Sequence, residues 1–425
     1  MRVVAMTRSV RRARFAGVAI PALVSGALFA GEAYRIEVRA GPHARKGTPV
    51  RFELPEGRDA SGEWRLAAEG GAEVAVQADL PPLGEAKPRA VVWILEEPLP
   101  AGGVRRYSLE REKGRGFPDR VVVAEPSPGR LAFRFGGRDA FVYNERVVEP
   151  PPKVEAIFAR SGYIHPLFSP SGRLLSDDFP LNHKHHHGLW LTWSQTVFEG
   201  LPTNFWEQAR GEGKVDCAGV DLKVTGPVFG AVRARHVFTA LKGSGGPKPA
   251  MREVWDVRLW AVEGGRAIDF VSVLETAGES PVLFKEYRYG GLGFRGSAQW
   301  DGPGRVEFLS SEGKKREDGN ATTARWCDMF GKVDGTLAGI AFLSDPRNFR
   351  FPQGMRIHPT EPFFNFAPCQ GGDFTLEPGT PLVSRYRLFV HEGALEPAEL
   401  ERLWHDYAEP PEVRVVEKGP ESRKS

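Results

Sequence analysis

Cysteine is nearly absent: Cys217, Cys327 and Cys369 are the only three in 425 residues, and none forms a C-x-x-C pair. That excludes the disulfide framework that staples small secreted domains. One bridge plus a free thiol, or three buried thiols, both fit the odd count. Charge of one sign is lacking as well. The formal net charge is +3, but Arg2, Arg8, Arg11, Arg12 and Arg14 fall in residues 1–30 with no acid, leaving 52 basic against 54 acidic residues. A nearly neutral body has no electrostatic footprint for nucleic acid, and that partner class is set aside. Beyond residue 30 no run approaches the ~18 apolar residues of a spanning helix, so no membrane contact is expected past the leader. The chain also has no G-x-S-x-G elbow, no phosphate loop and no H-E-x-x-H. Gly290-Gly291-Leu292-Gly293 lacks the strand-to-helix setting of a dinucleotide site.

What is abundant is punctuation. Gly 49 and Pro 35 make up about a fifth of the chain, against a usual ~12%. This argues for many short strands joined by turns rather than long helices. Residues 1–33 read as a signal peptide. The apolar stretch Phe15–Ala30 follows an arginine-rich head and is short for a bilayer of ~30 Å. Export to the periplasm or beyond is the expectation, an uncleaved anchor the alternative.

From Tyr34 onward strands dominate: Tyr34–Arg39, Val50–Leu54, Val74–Ala78, Ala90–Leu95 and Arg120–Ala124. Later strands alternate more cleanly. Trp255, Val257, Leu259 and Ala261 oppose Arg252, Asp256 and Arg258. Val232, Ala234, His236 and Phe238 oppose Arg233 and Arg235, and Tyr386, Leu388 and Val390 oppose Arg385, Arg387 and His391. Period two marks antiparallel strands buried on one face. One amphipathic helix is expected, with Pro397 in its first turn and Leu400, Leu403, Trp404 and Tyr407 on one face. The fold class is therefore all-β, a large antiparallel β-sandwich with one C-terminal helix. An N-terminal β-region (34–128) precedes a main domain (129–407) and a charged, frayed tail (408–425).

Chemistry concentrates in two places. Five of the ten histidines lie between residues 165 and 187, four of them in His183-Lys184-His185-His186-His187. If that segment is extended, His183, His185 and His187 face one way and could hold a divalent metal, although no cofactor is required. A neutral histidine in a cleft could instead move a proton near neutral pH. A solvated polar turn is the bland alternative. Asp178, Trp190 and Trp206 follow nearby, and aromatics beside Asp, Asn and His suit a sugar, with rings against C–H faces and polar groups on hydroxyls. Trp190 and Trp193 must face opposite sides of a regular strand. The second place is Arg347–Gln370, with Arg347, His358 and Glu361. Glu361 sits among Phe363, Phe364 and Phe366, company that tends to raise a carboxyl pKa and suits an acid/base role. Lys285-Glu286-Tyr287-Arg288-Tyr289 could line the same cleft.

The stretches Gly162–Leu167, Ser169–Gly172, Asp177–Pro180, His185–Trp190 and Asn204–Trp206 together resemble a bacterial family of unknown function that carries the label "methane oxygenase PmoA". The likeness spans roughly residues 129–407. The label clashes with physics, since such a membrane subunit needs several spanning helices. More distantly, Pro166, His187-Gly188 and Trp193, with Glu377-Pro378-Gly379 before a last strand, resemble aldose 1-epimerase and its galactose-mutarotase-like relatives. That resemblance implies a β-supersandwich with a sugar cleft, His187 as proton donor and a late carboxylate as base. The expected catalytic set is His187, His186 and Glu361. His165, Asp178, His185, Trp190, Trp206, Arg347 and His358 are expected to bind a carbohydrate, as substrate of a hydrolase, lyase or epimerase or as ligand of a binding protein.

Overall fold

The computed structural model describes residues 33–243 and 245–418. The expected leader falls, Ala33 apart, outside them. The chain is an all-β sandwich of antiparallel sheets with one α-helix, Pro397–Ala408, among the described residues.

Two eight-stranded sheets build the body. The first runs, edge to edge, Met355–Ile357, Phe363–Phe366, Gly291–Arg295, Leu189–Thr192, Tyr163–Leu167, Arg138–Asn144, Arg130–Phe135 and Val121–Ser127. The second runs Gly213–Val224, Phe229–Ala240, Lys248–Trp260, Arg266–Thr276, Leu382–Glu392, Thr336–Ser344, Trp326–Val333 and Val306–Ser310. Their inner faces meet in one large core. Phe364 stacks on Phe342 at 4.6 Å between centroids, Phe366 on Tyr386 at 5.5 Å, and Phe294 meets Phe342 at 5.4 Å.

The alternating strands behave as their period requires: Trp255, Val257, Leu259, Val232, Ala234, Phe238, Leu388 and Val390 are all buried in this core. The opposite face of the second sheet is covered too. Trp260, Leu343 and Phe389 pack against Leu400, Leu403 and Trp404 of the helix. Polar residues on that face are therefore paired: Arg233 with Asp256 at 2.7 Å, Arg387 with Asp269, and His391 with Asp328 at 3.0 Å.

The N-terminal strands form their own smaller core around Ile36, Val38, Trp93 and Leu109. The expected frayed tail is corrected over its described part, residues 408–418. Glu412–Lys418 is a strand that pairs antiparallel with Ala33–Arg39, Val413 opposite Val38 and Val415 opposite Ile36. Alternating valines suffice for a strand once an unpaired edge is offered to them. All three cysteines are free thiols.

Candidate functional site

The histidine block is not extended. It closes a loop in which Asp178 bridges His187, and two tight turns are made by His183 N–H to Pro180 O and His186 N–H to His183 O. Period three replaces the expected period two, so the rings of His183 and His186 stack at 4.7 Å and 14°. Gly188 fixes where the loop re-enters the sheet: a Cβ there would meet Ile164 O at 2.2 Å, so only glycine allows this approach.

His187 turns inward and is fully buried. Its Nδ1 lies 2.8 Å from Asp178 Oδ1, and Asp178 Oδ2 accepts from the Tyr163 hydroxyl at 2.7 Å. Gln208 donates its amide to Phe158 O and Ala159 O, which turns its Oε1 toward His187 Nε2 at 3.5 Å. Burial lowers the His187 pKa, although the Asp178 hydrogen bond opposes this. His187 has no exposed surface from which to hand a proton to a ligand, which runs against the catalytic role expected for it. His186 is likewise buried, stacked on Phe363 at 4.7 Å, with its pKa driven far down first by burial and then by His185 and His183.

Trp190 and Trp193 do face opposite sides. Trp193 joins the main core, whereas Trp190 packs with Tyr163, Trp206 and Phe363 in a separate aromatic cluster under the histidines. Gly293 makes the room: a Cβ there would meet Trp206 at 3.0 Å and Trp190 at 3.3 Å. Both Trp190 and Trp206 are buried. They are the floor of the histidine loop, not the open stacking platforms expected for a sugar.

The two distant segments do meet. Asn182, next to the block, donates its amide to Glu361 Oε2 at 2.6 Å, and the rings of His183 and His358 lie 5.5 Å apart. Glu361 N–H donates to His358 Nδ1 at 3.0 Å, so Nδ1 is an acceptor and the ring's proton sits on Nε2. Beneath them Arg295, fully buried, reaches three acids. Nη1 binds Glu361 at 2.8 Å, Nη2 binds Asp301 at 2.8 Å, and Nε faces Asp177 at 3.9 Å.

These neighbours reverse the expectation for Glu361. Burial raises its pKa, but Arg295, Asn182 and His183 outweigh burial and hold it below the usual carboxylate value. Asp301 goes the other way, raised by burial and by the adjacent Glu361 against Arg295. Burial also raises Asp177. The open imidazoles are held neutral at pH 7. Burial is the leading cause at His183, joined by the neighbouring His183 at His185 (to about 4) and by Arg356 at His358 (to about 4).

The other expected residues separate. His165 stays at the margin, its Nδ1 2.9 Å from Ser176 Oγ and its pKa lowered by burial. Arg347 is not part of the site. It is largely exposed, grips Asp345, and lines a different surface pocket with Phe349, Phe374 and Thr380. The metal triad is corrected as well, because His187 points into the core while His183 and His185 stay outside. Among the described residues one group of three side chains has ligand atoms within 4.8 Å of one another: His43, His405 and Glu409. The two imidazoles there stack nearly parallel at 3.5 Å and 14°. Lone pairs in parallel ring planes do not converge on one ion, so the donor set fits a metal poorly.

Sequence reasoning missed Arg295, Asp301, Tyr163 and Gln208. Arg295 had a signal: it ends Gly291–Arg295, an otherwise apolar strand, and all five residues are buried. A lone arginine in such a strand must have acids around it. Tyr163 and Gln208 act through contacts that no spacing announces.

A family model matches residues 130–405, nearly two thirds of the chain. The chain belongs to DUF6807, a family of unknown function. That description names no activity, neither a methane oxygenase nor a mutarotase. No curated protein matches by sequence. Among solved structures, the chain is similar to an α-mannosidase from Enterococcus faecalis V583, at 10% identity and a TM-score of 0.47, covering 91% of this chain and 46% of that one. It is also similar to a protein in glycosyl hydrolase family 38 from Enterococcus faecalis, at 11% identity and a TM-score of 0.47, covering 91% and 48%. The chain spans about half the length of either.

Proposed function

We propose that this DUF6807 protein is an exported carbohydrate-active enzyme that works by proton transfer, and that residues 129–407 form the domain that carries the site. The observation that supports this is the junction of Asn182–His183 with His358–Glu361 over Arg295. There, partly exposed neutral imidazoles face two carboxyl groups whose pKa values are pushed apart. Divergent neighbours of this kind are how a site assigns an acid and a base at one pH. In this reading His183 or His358 accepts a proton, and Asp301, raised by burial and by the ionised Glu361 beside it, supplies one. Asn182 and His185 meet hydroxyls, and the buried Asp178–His187–Gln208 chain holds the loop in place.

Asp301 and Glu361 grip adjacent nitrogens of one guanidinium. That holds the two carboxyl groups close together, which suits the wide ~6.5–9.5 Å separation of inverting glycosidases poorly. Elimination, epimerisation and hydrolysis with retention all fit. A panel of oligosaccharides should contain one that purified protein converts, and His183→Ala and Glu361→Gln should each slow conversion by at least ~10²-fold, as loss of an acid/base group does. Unchanged turnover in both variants would overturn the reading. A second reading, a carbohydrate-binding protein without turnover, draws on the burial of His186 and His187. It predicts saturable calorimetric binding and no product.

A further inference from the structure

Beside the histidine loop lies an open cleft of about 560 Å³ whose lining includes Arg288, Arg350, Arg356, Asn320, Gln370 and Glu286. Residues of its wall, or next to it, touch the site's surroundings. Arg356 lies two residues before His358 and its charge is felt there, and Tyr289 stacks on Trp206 at 5.7 Å.

Two guanidinium groups converge on the ring of Tyr289, Arg288 at 5.1 Å and Arg356 at 5.4 Å from its centroid. Like charges gathered at one aromatic ring are costly unless an anion joins them. Among the described residues neither has a carboxylate partner: Arg356 donates Nη1 to Asn320 Oδ1 at 2.9 Å, and its buried Nε is unpaired. Arg356 is 8% exposed, so it is a built part of the wall rather than a free surface arginine. Arg350 is spent on Pro368 O, Gly372 O and Asp373 O, and contributes only its charge. The opposing charge is Glu286, which leaves the cleft with three cations against one carboxylate.

We propose that this cleft receives an anionic sugar unit, with Arg288 and Arg356 binding its acidic group while the remainder of the glycan extends toward His183 and Glu361. Planar guanidinium donors on an aromatic shelf suit a carboxylate or a sulfate ester, which they bind by paired charged hydrogen bonds. The proposal deepens the reading above and rests on it only for the direction in which the glycan runs.

The test is calorimetry on the full chain with three matched oligosaccharides: a uronate oligomer, its carboxyl-reduced neutral counterpart, and that neutral oligomer sulfated. Tighter binding of the uronate identifies a carboxylate, and tighter binding of the sulfated form a sulfate. Either anion should exceed the neutral form by at least about tenfold at low salt. Arg288→Gln, at an exposed position, and Arg356→Lys, which keeps charge but loses the planar fork, should each reduce anion binding by about tenfold and leave neutral binding unchanged. Glu286→Gln should tighten it. Equal binding of neutral and anionic forms, or anion binding indifferent to both arginine variants, would overturn the proposal. The two readings fail separately. Arginine-dependent binding without conversion leaves the cleft assignment standing and removes the catalytic one. Conversion of the uronate oligomer by Arg288→Gln and Arg356→Lys with an unchanged KM does the reverse.

Discussion

The two large sheets share a core, yet they differ in kind. The second sheet is built of strands as long as Lys248–Trp260, in register with neighbours over nine or more residues. The first contains strands of three to seven residues, and its Leu189–Thr192 and Tyr163–Leu167 touch through a single paired position, Ile164 with Leu189. The long sheet satisfies its backbone by regular pairing and contributes none of the site's side chains. The short sheet ends its strands early, and the loops that leave them bring Asp177, His183, Asp301 and Glu361 to one buried arginine. Regularity stabilises one side, and interruption builds the site on the other.

Four tests, the first a pair of variants, would break or sharpen that contrast. The largest effect is expected where the short sheet depends on one group. Arg295→Ala leaves Asp177, Asp301 and Glu361 facing one another and should cost about 3–5 kcal/mol, read as a fall in denaturation midpoint. Trp255→Ala, in the long sheet, should cost a similar ~3–5 kcal/mol through a cavity. The two differ in what they disturb: only Arg295→Ala should also raise the pKa of Glu361, followed by carboxyl NMR. If Arg295→Ala is as stable as wild type, the three acids are not held by it.

Gly188→Ala comes next. Its methyl must displace Ile164 O, and overpacking of this sort costs about 1–3 kcal/mol; wild-type stability in that variant would mean that the loop can shift freely.

The third is acidity. His183, His185 and His358 have pKa values lowered on folding. The unfolded chain therefore binds more protons below its own histidine pKa of ~6.5, and their contribution is lost as pH falls from about 6.5 toward 4. Inside the core Glu253 is held near 7 by burial, with Ser272 opposing. It acts in the opposite sense, and its contribution grows as pH falls through the same range. Thermal scans at pH 7 and pH 5 should therefore show a larger loss in Glu253→Gln than in wild type; an equal loss would remove Glu253 from the balance.

The smallest effect belongs to Arg347→Ala, which should cost about 1 kcal/mol by taking two hydrogen bonds from the buried Asp345 carboxylate, and leave any turnover intact, because its partner is not in the histidine loop.

The same contrast explains what could be read from residues alone. Period two along Trp255–Ala261 and Tyr386–Val390 was legible because each strand faces one core over a long, regular span. The helix face of Leu400, Leu403 and Trp404 was legible for the equivalent reason at period 3.6. The histidine block misled because adjacent imidazoles satisfy either a strand or a turn, and the choice was made by Pro180 O and by the close approach at Gly188. Glu361 misled because its phenylalanine neighbours in sequence point into cores, while its neighbours in space, Arg295 and Asn182, come from 66 and 179 residues away. Aromatic richness around Trp190 and Trp206 was read as a surface when it is a floor. Sequence distance hides electrostatics more completely than it hides apolar periodicity.

The pairing of Glu412–Lys418 with Ala33–Arg39 has a temporal side. As the chain emerges from the ribosome, the first of these strands can find its neighbour Val104–Glu110 early, yet one flank stays bare until some 370 further residues have been made. Such distant closure is slow and leaves a sticky border in the meantime. The final zip of Val413 and Val415 against that border marks the moment when the nascent protein stops being vulnerable to pairing with a stranger.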